Sequence, residues 1–176
     1  MSQWVAITVL GQDRPGIVAG ITRVLYEHGC NLEDSNAMRL RDAFAMILIA
    51  QLPESPDLAG LCERLGQAAV GLSVSVDLRD LGGQEPLPPP AGRQCSLAVY
   101  GADQPGIVYH VTQELCGLAC NVTDVTTHCA GGVYVMLLQM TVPDGVDDAV
   151  IEDHLARLRA SLRVDITLRA DDSETL

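Results

Sequence analysis

Lysine is absent from this chain of 176 residues. All eleven basic residues are arginine, they face 23 acids, and the net charge is −12. A field of that sign repels phosphate backbones and anionic lipid surfaces, so neither direct nucleic-acid binding nor membrane docking is expected. Aromatic residues are scarce at 3%, so a core has to be built from Val, Ile, Leu, Ala and Met. The longest apolar run, Ala43 to Ala50, has eight residues, well short of the roughly 20 a membrane helix needs. The first ten residues carry neither a basic region nor a small-residue cleavage site, so no signal peptide is expected and the protein is placed in the cytoplasm. There is no G-x-S-x-G, no phosphate loop ending in Lys and no C-x-x-C. No catalytic residue, metal site or cofactor is therefore expected, and the chain is not read as an enzyme. Six cysteines without signs of secretion read as reduced thiols, buried as small apolar residues.

What is present is a repeat. Shifting the chain by 90 residues aligns Gly11 to Pro53 with Gly101 to Pro143 without a gap, at 14 identities in 43 positions. The pairs include Asp13/Asp103, Pro15/Pro105, Gly16/Gly106, Cys30/Cys120 and Asn31/Asn121. Two copies are too few for a solenoid, so a duplicated small domain is the plain reading. Residues 82–92 hold four prolines and three glycines and read as a semi-rigid linker. The expected division is domain one at 1–81, linker 82–92, domain two at 93–170 and an acidic tail at 171–176.

Within the first repeat, Val5, Ile7 and Val9 alternate as in a strand. Gly11 to Arg14 turn the chain, and Pro15 suits the first position of a helix. Ile17, Val18, Ile21, Val24 and Leu25 follow helical spacing, and Gly29 ends that helix. Asn31 to Arg39 and Ala43 to Leu52 read as a hairpin. Leu58, Leu61, Leu65 and Ala68 mark a second helix, and Val74, Val76 and Leu78 a last strand. The second repeat gives the same series. The expected class is α+β: two ferredoxin-like βαββαβ domains, each an antiparallel four-stranded sheet with two helices on one face. Ala43 to Ala50 and Val133 to Val142 are apolar on both faces, which points to cover from a sister domain or a second subunit, and to a homodimer.

Two stretches carry possible binding chemistry. Gly11-Gln12-Asp13-Arg14-Pro15-Gly16-Ile17 is a tight turn opening a helix, where free N–H groups and the helix dipole suit a carboxylate. Asp13 either caps the helix or accepts from an ammonium group. Gly29-Cys30-Asn31-Leu32-Glu33-Asp34 starts the next strand and is read as bringing the amide of Asn31 beside that turn. In the second repeat the corresponding residues are Asp103, Gly106, Ile107 and Asn121. The same residues also suit purely structural roles, with Asp13 as an N-cap, Gly16 as a packing glycine and Asn31 as a turn residue.

G-x-D-R-P-G-I-V followed by G-C-N-L-E-D-S resembles the ACT domain, a small regulatory module that binds amino acids, and the resemblance spans both repeats. Two such domains and nothing else resemble the glycine cleavage system transcriptional repressor family, with Asn31 to Ser35 and Ala43 to Met46 as the most specific part. The second repeat departs at Gln104, Ala119 and Thr123, where the first has Arg14, Gly29 and Glu33. The resemblance implies a sensor of a small amino acid, glycine or similar, that represses through contact with a transcriptional activator protein and without binding DNA itself. The alternatives are an assembly protein with degenerate ligand sites, or a stand-alone regulatory subunit of an amino-acid or one-carbon metabolic enzyme.

Overall fold

A computed structural model describes residues 3–83 and 91–171. The chain divides into two compact units, Met1–Pro86 and Leu87–Leu176. Most of the linker reading, 84–90, and the tail from 172 lie outside the described residues.

In the first unit, β1 (Trp4–Gln12) buries Val5, Ile7 and Val9 almost completely and turns its even-numbered residues outward. α1 (Ile17–Glu27) buries Ile17, Ile21, Val24 and Leu25, the i, i+4, i+7, i+8 stripe of an amphipathic helix. It ends in a Schellman motif. Gly29 takes φ +69, its N–H donates to the Tyr26 carbonyl, and the Cys30 N–H donates to the Leu25 carbonyl. β2 (Asn31–Leu40) and β3 (Ala43–Gln51) form the hairpin, turned at Arg41 and Asp42 with Arg41 left-handed. α2 (Leu58–Leu72) starts at Asp57, whose carboxylate accepts from the Gly60 N–H at 2.9 Å. β4 (Val74–Gly82) closes the unit.

The strand order is β2-β3-β1-β4, all antiparallel, which is the split βαβ arrangement. The β1–β4 register shifts once, between Trp4 and Val5, and a bulge interrupts the β2–β3 pairing. The β2–β3 register slips between Leu32 and Asp34, leaving Glu33 over, and the Trp4 indole N–H donates to the Glu33 carboxylate at 2.9 Å.

The second unit repeats the series: β5 (Arg93–Ala102), α3 (Ile107–Gly117), β6 (Asn121–Ala130), β7 (Val133–Val142), α4 (Asp148–Leu162) and β8 (Val164–Ala170). Its order is β6-β7-β5-β8. The α3 terminus keeps the Schellman bonds, but Ala119 occupies the left-handed position at φ +55. The bulge recurs between Val122 and Asp124. Where Glu33 becomes Thr123, its partner Trp4 becomes Gln94, so that departure is a paired change.

Two sequence expectations shift. Gly11 is not in the turn but inside β1, paired with Phe44 on one side and Val74 on the other. Pro15 precedes the helix by two residues, because Gly16 at φ +96 is the N-cap and α1 begins at Ile17.

Candidate ligand site

β1 ends beside the β2–β3 turn, because Gln12 pairs with Ala43 and Leu40 pairs with Ala43 from the other side. This places the loop after β1 against the hairpin tip. The Asp13 N–H donates to the Asp42 carbonyl at 2.7 Å, fixing the loop. The Asp13 carboxylate faces the Arg39 guanidinium at 3.1 Å, and the same Arg39 Nε donates to the Arg41 carbonyl at 2.8 Å. Asp13 therefore does not cap the helix; Gly16 does, with no side-chain cap and no acid in the first turn.

The first intrahelical bond runs from the Gly20 N–H to the Gly16 carbonyl, so the N–H groups of Ile17, Val18 and Ala19 precede the ladder. A Cβ on Gly16 would meet nothing within 4 Å. Gly16 is thus required by its backbone angle and not by crowding, and the space beside it is open. Free donors, the positive end of α1, Arg14 and Arg41 in the surrounding loops and Arg39 near the end of β2 make this corner suited to a carboxylate.

Asn31 is not part of that corner within its own unit. It pairs with Gln51, which pairs with Trp4, at the start of β1. The turn follows the other end of β1, eight residues away, or about 26 Å along the strand. The reason is geometric: α1 carries the chain back down the sheet before β2 begins. Asn121, paired with Thr141, is displaced in the same way in the second unit. The residues brought to the turn instead are Arg39, Arg41 and Asp42. Their signal was available, since the hairpin pairing fixes which end of β2 meets the end of β1.

The second unit builds a different corner. The Asp103 N–H donates to the Gly132 carbonyl at 3.1 Å, as in the first unit. Its carboxylate accepts from the Cys129 thiol at 3.4 Å, because Cys129 stands where the first unit has Arg39. That bond pushes the Cys129 thiol pKa up. Gln104, in place of Arg14, donates from its side-chain amide to the Leu162 carbonyl at the end of α4. Arg41 becomes Gly131. Above Gly106, which keeps φ +95, the His110 ring stands 3.3 Å from where a Cβ would sit, so this turn is crowded where the first is open. Among the described residues the buried Tyr134 hydroxyl makes no hydrogen bond of normal geometry; burial, then the Asp103 charge, raises its pKa, and the neighbouring Thr127 acts the other way.

Residues 3–79 match the family described as the ACT domain. A UPF0237 protein of Methanopyrus kandleri is 49% identical over 71 residues, spanning 40% of this chain and 79% of its own length. The chain belongs to the ACT-domain family. The second unit repeats the ACT fold of the first, so the protein is a tandem ACT-domain protein. The glycine cleavage system transcriptional repressor of Escherichia coli is 48% identical over 46 residues, spanning 26% of this chain and 24% of that protein. Among solved structures, an unknown protein from Galdieria sulphuraria superposes with TM-score 0.81 at 27% identity, covering 97% of this chain and 99% of its own. A crystal structure provisionally named a glycine cleavage system transcriptional repressor superposes with TM-score 0.69 over 97% of this chain and 98% of its own. At 16% identity it shares the fold alone.

Proposed function

We propose that this tandem ACT protein is a cytoplasmic sensor of a small amino acid, glycine or similar, regulating through protein contact in the manner its repressor-like relative suggests. The observation that carries the reading is the open, uncapped start of α1 at Gly16, next to Asp13 and its arginine partner. A ligand carboxylate accepts from the N–H groups of Ile17, Val18 and Ala19, with Arg14 nearby. Its ammonium shares the Asp13 carboxylate with Arg39, an exposed pair that costs about 1 kcal/mol or less to rearrange. Pro15 and Gly16 set the turn and Ile17 anchors it in the core. Gly11 holds the strand beneath.

Action without direct DNA contact follows from charge. Among the described residues, ion pairs engage five of the eleven arginines, Arg23, Arg39, Arg64, Arg93 and Arg159, within a net charge of −12. The readout is then a protein partner such as a transcriptional activator. The outward face of the first sheet leaves Leu10, Leu40 and Ile47 more than half exposed, which favours a homodimer covering them. The test of the sensing reading is a thermal-shift screen against the twenty amino acids. Binding to the native state alone raises the melting temperature with ligand concentration. A rise with a small amino acid, lost in Asp13→Asn, is the expected result; a flat screen supports the alternative of an assembly protein with degenerate sites.

A further inference from the structure

A cleft of about 740 Å3 opens in the second unit between the end of β5 and the last turns of α4, and none of Asp103 to Gly106 lines it. Its floor is tight: Gly101 pairs with Val164, and a Cβ on Gly101 would come within 2.7 Å of Val164 Cγ1. Its walls include Tyr100, Val133 and Ala160, and its charged lining is Arg159, Arg163 and Asp165. Arg159 is already engaged. It donates to the Ile166 carbonyl at 2.8 and 2.6 Å and pairs with Glu152 at 2.5 Å. Arg163 and Asp165 have no ion-pair partner among the described residues. One cation and one carboxylate therefore stand two residues apart over a patch of apolar wall. Tyr100 is more than half exposed there and Val133 more than a third.

The first unit does not carry this charge pair. At the 90-residue shift, Arg163 is Ser73, Asp165 is Ser75 and Arg159 is Ala69. The Ser75 hydroxyl is taken by its own sheet, donating to the Leu10 carbonyl at 3.0 Å. The charge pair is thus particular to the second unit and is not a by-product of the fold.

We propose that this cleft is a second ligand site, for the zwitterionic head group of an amino acid with an apolar side chain. The carboxylate pairs with the Arg163 guanidinium, in the two-pronged geometry arginine offers. The ammonium pairs with Asp165 and faces the C-terminal end of α4, the negative end of its dipole, which favours positive charge. The side chain lies on Tyr100 and Val133. The same helix end opposes a bare carboxylate, so the site selects the zwitterion over a simple organic acid.

The test is titration of the full chain with L-leucine, monitored by calorimetry and by amide chemical shifts, beside 4-methylpentanoate, which lacks only the amine. L-leucine is expected to shift Gly101, Gly132 and Val164, and 4-methylpentanoate to bind about tenfold more weakly or worse. Arg163→Ser and Asp165→Ser, each installing the residue the first unit carries there, are expected to keep the melting curve and weaken L-leucine about tenfold or more. Gly66→Ala, in α2 of the first unit with nothing within 4 Å of the new Cβ, is expected to leave L-leucine binding unchanged. No binding of L-leucine at millimolar concentration, shifts at Ile17 to Ala19 instead, or equal affinity for 4-methylpentanoate overturns the proposal.

Discussion

Replacing Gly11 by Ala adds a single methyl group to a central strand. Its Cβ would lie 2.7 Å from Val74 Cγ1, 2.9 Å from the Ser73 carbonyl oxygen and 2.9 Å from Val74 Cα. Two of these are backbone atoms at the start of the adjoining strand β4, held by the Gly11–Val74 pairing, and the third belongs to a side chain stiff at χ1. The strands must separate locally, at a cost of about 1–3 kcal/mol for overpacking. Loss of glycine's freedom in the unfolded chain returns about 0.4–1 kcal/mol. The mid-values leave a net destabilisation of about 1.3 kcal/mol, which lowers the melting temperature of a domain this size by roughly 5–10 °C. The matched control is Gly66→Ala, mid-helix in α2 with nothing within 4 Å of the new Cβ. That change is expected to stabilise by about 0.5–1 kcal/mol. Urea unfolding of both variants by circular dichroism, without ligand, reads the difference. A Gly11→Ala midpoint at or above that of the parent protein refutes the packing role and returns Gly11 to the ligand turn.

The other expectations concern the second unit and the displaced asparagine. Ala119→Gly relieves a left-handed alanine worth about 1–2 kcal/mol, partly offset by unfolded-chain entropy, so the urea midpoint rises. Asn31→Ala leaves amino-acid affinity at the Gly16 corner of its own unit unchanged in calorimetric titration, because Asn31 sits at the opposite end of the sheet; a tenfold loss contradicts the register argument. Burial raises the thiol pKa of Cys30, Cys95 and Cys120 in the folded state. Their contribution to stability is therefore complete below the ordinary thiol value near 9.0 and declines as pH rises through the folded values. Cys95→Val with Cys120→Val flattens that alkaline decline in urea titrations, and an unchanged pH profile counts against it.

Alternation and helical spacing made the strands, both helices and the hairpin of each repeat legible, because each element buries one face against one core. Val5, Ile7 and Val9, or Ile17, Ile21, Val24 and Leu25, are apolar for a local reason that the local sequence displays. The ligand corner is not local. Asp13 and Arg39 are 26 positions apart and meet only because β1 and β2 both flank β3 in fixed register. Asn31 looked adjacent to the turn because it opens the strand after α1; the helix in between runs the length of the sheet in reverse. Gly11 and Gly16 look alike in sequence, yet one is constrained by a neighbouring strand and the other by its own φ. The unequal corners were visible only as Gln104, while the matching losses at Cys129 and Gly131 needed the hairpin placed against the turn.

The central claim, that the free start of α1 in the first ACT domain holds an amino-acid carboxylate, is tested most directly by amide chemical shifts during titration with glycine. The account predicts saturable shifts at Ile17, Val18 and Ala19, an effect on Asp13 and Arg39, and loss of those shifts in Asp13→Asn. Absence of saturable shifts with glycine and every other amino acid, or shifts confined to the Asn31 end of the sheet, contradicts it.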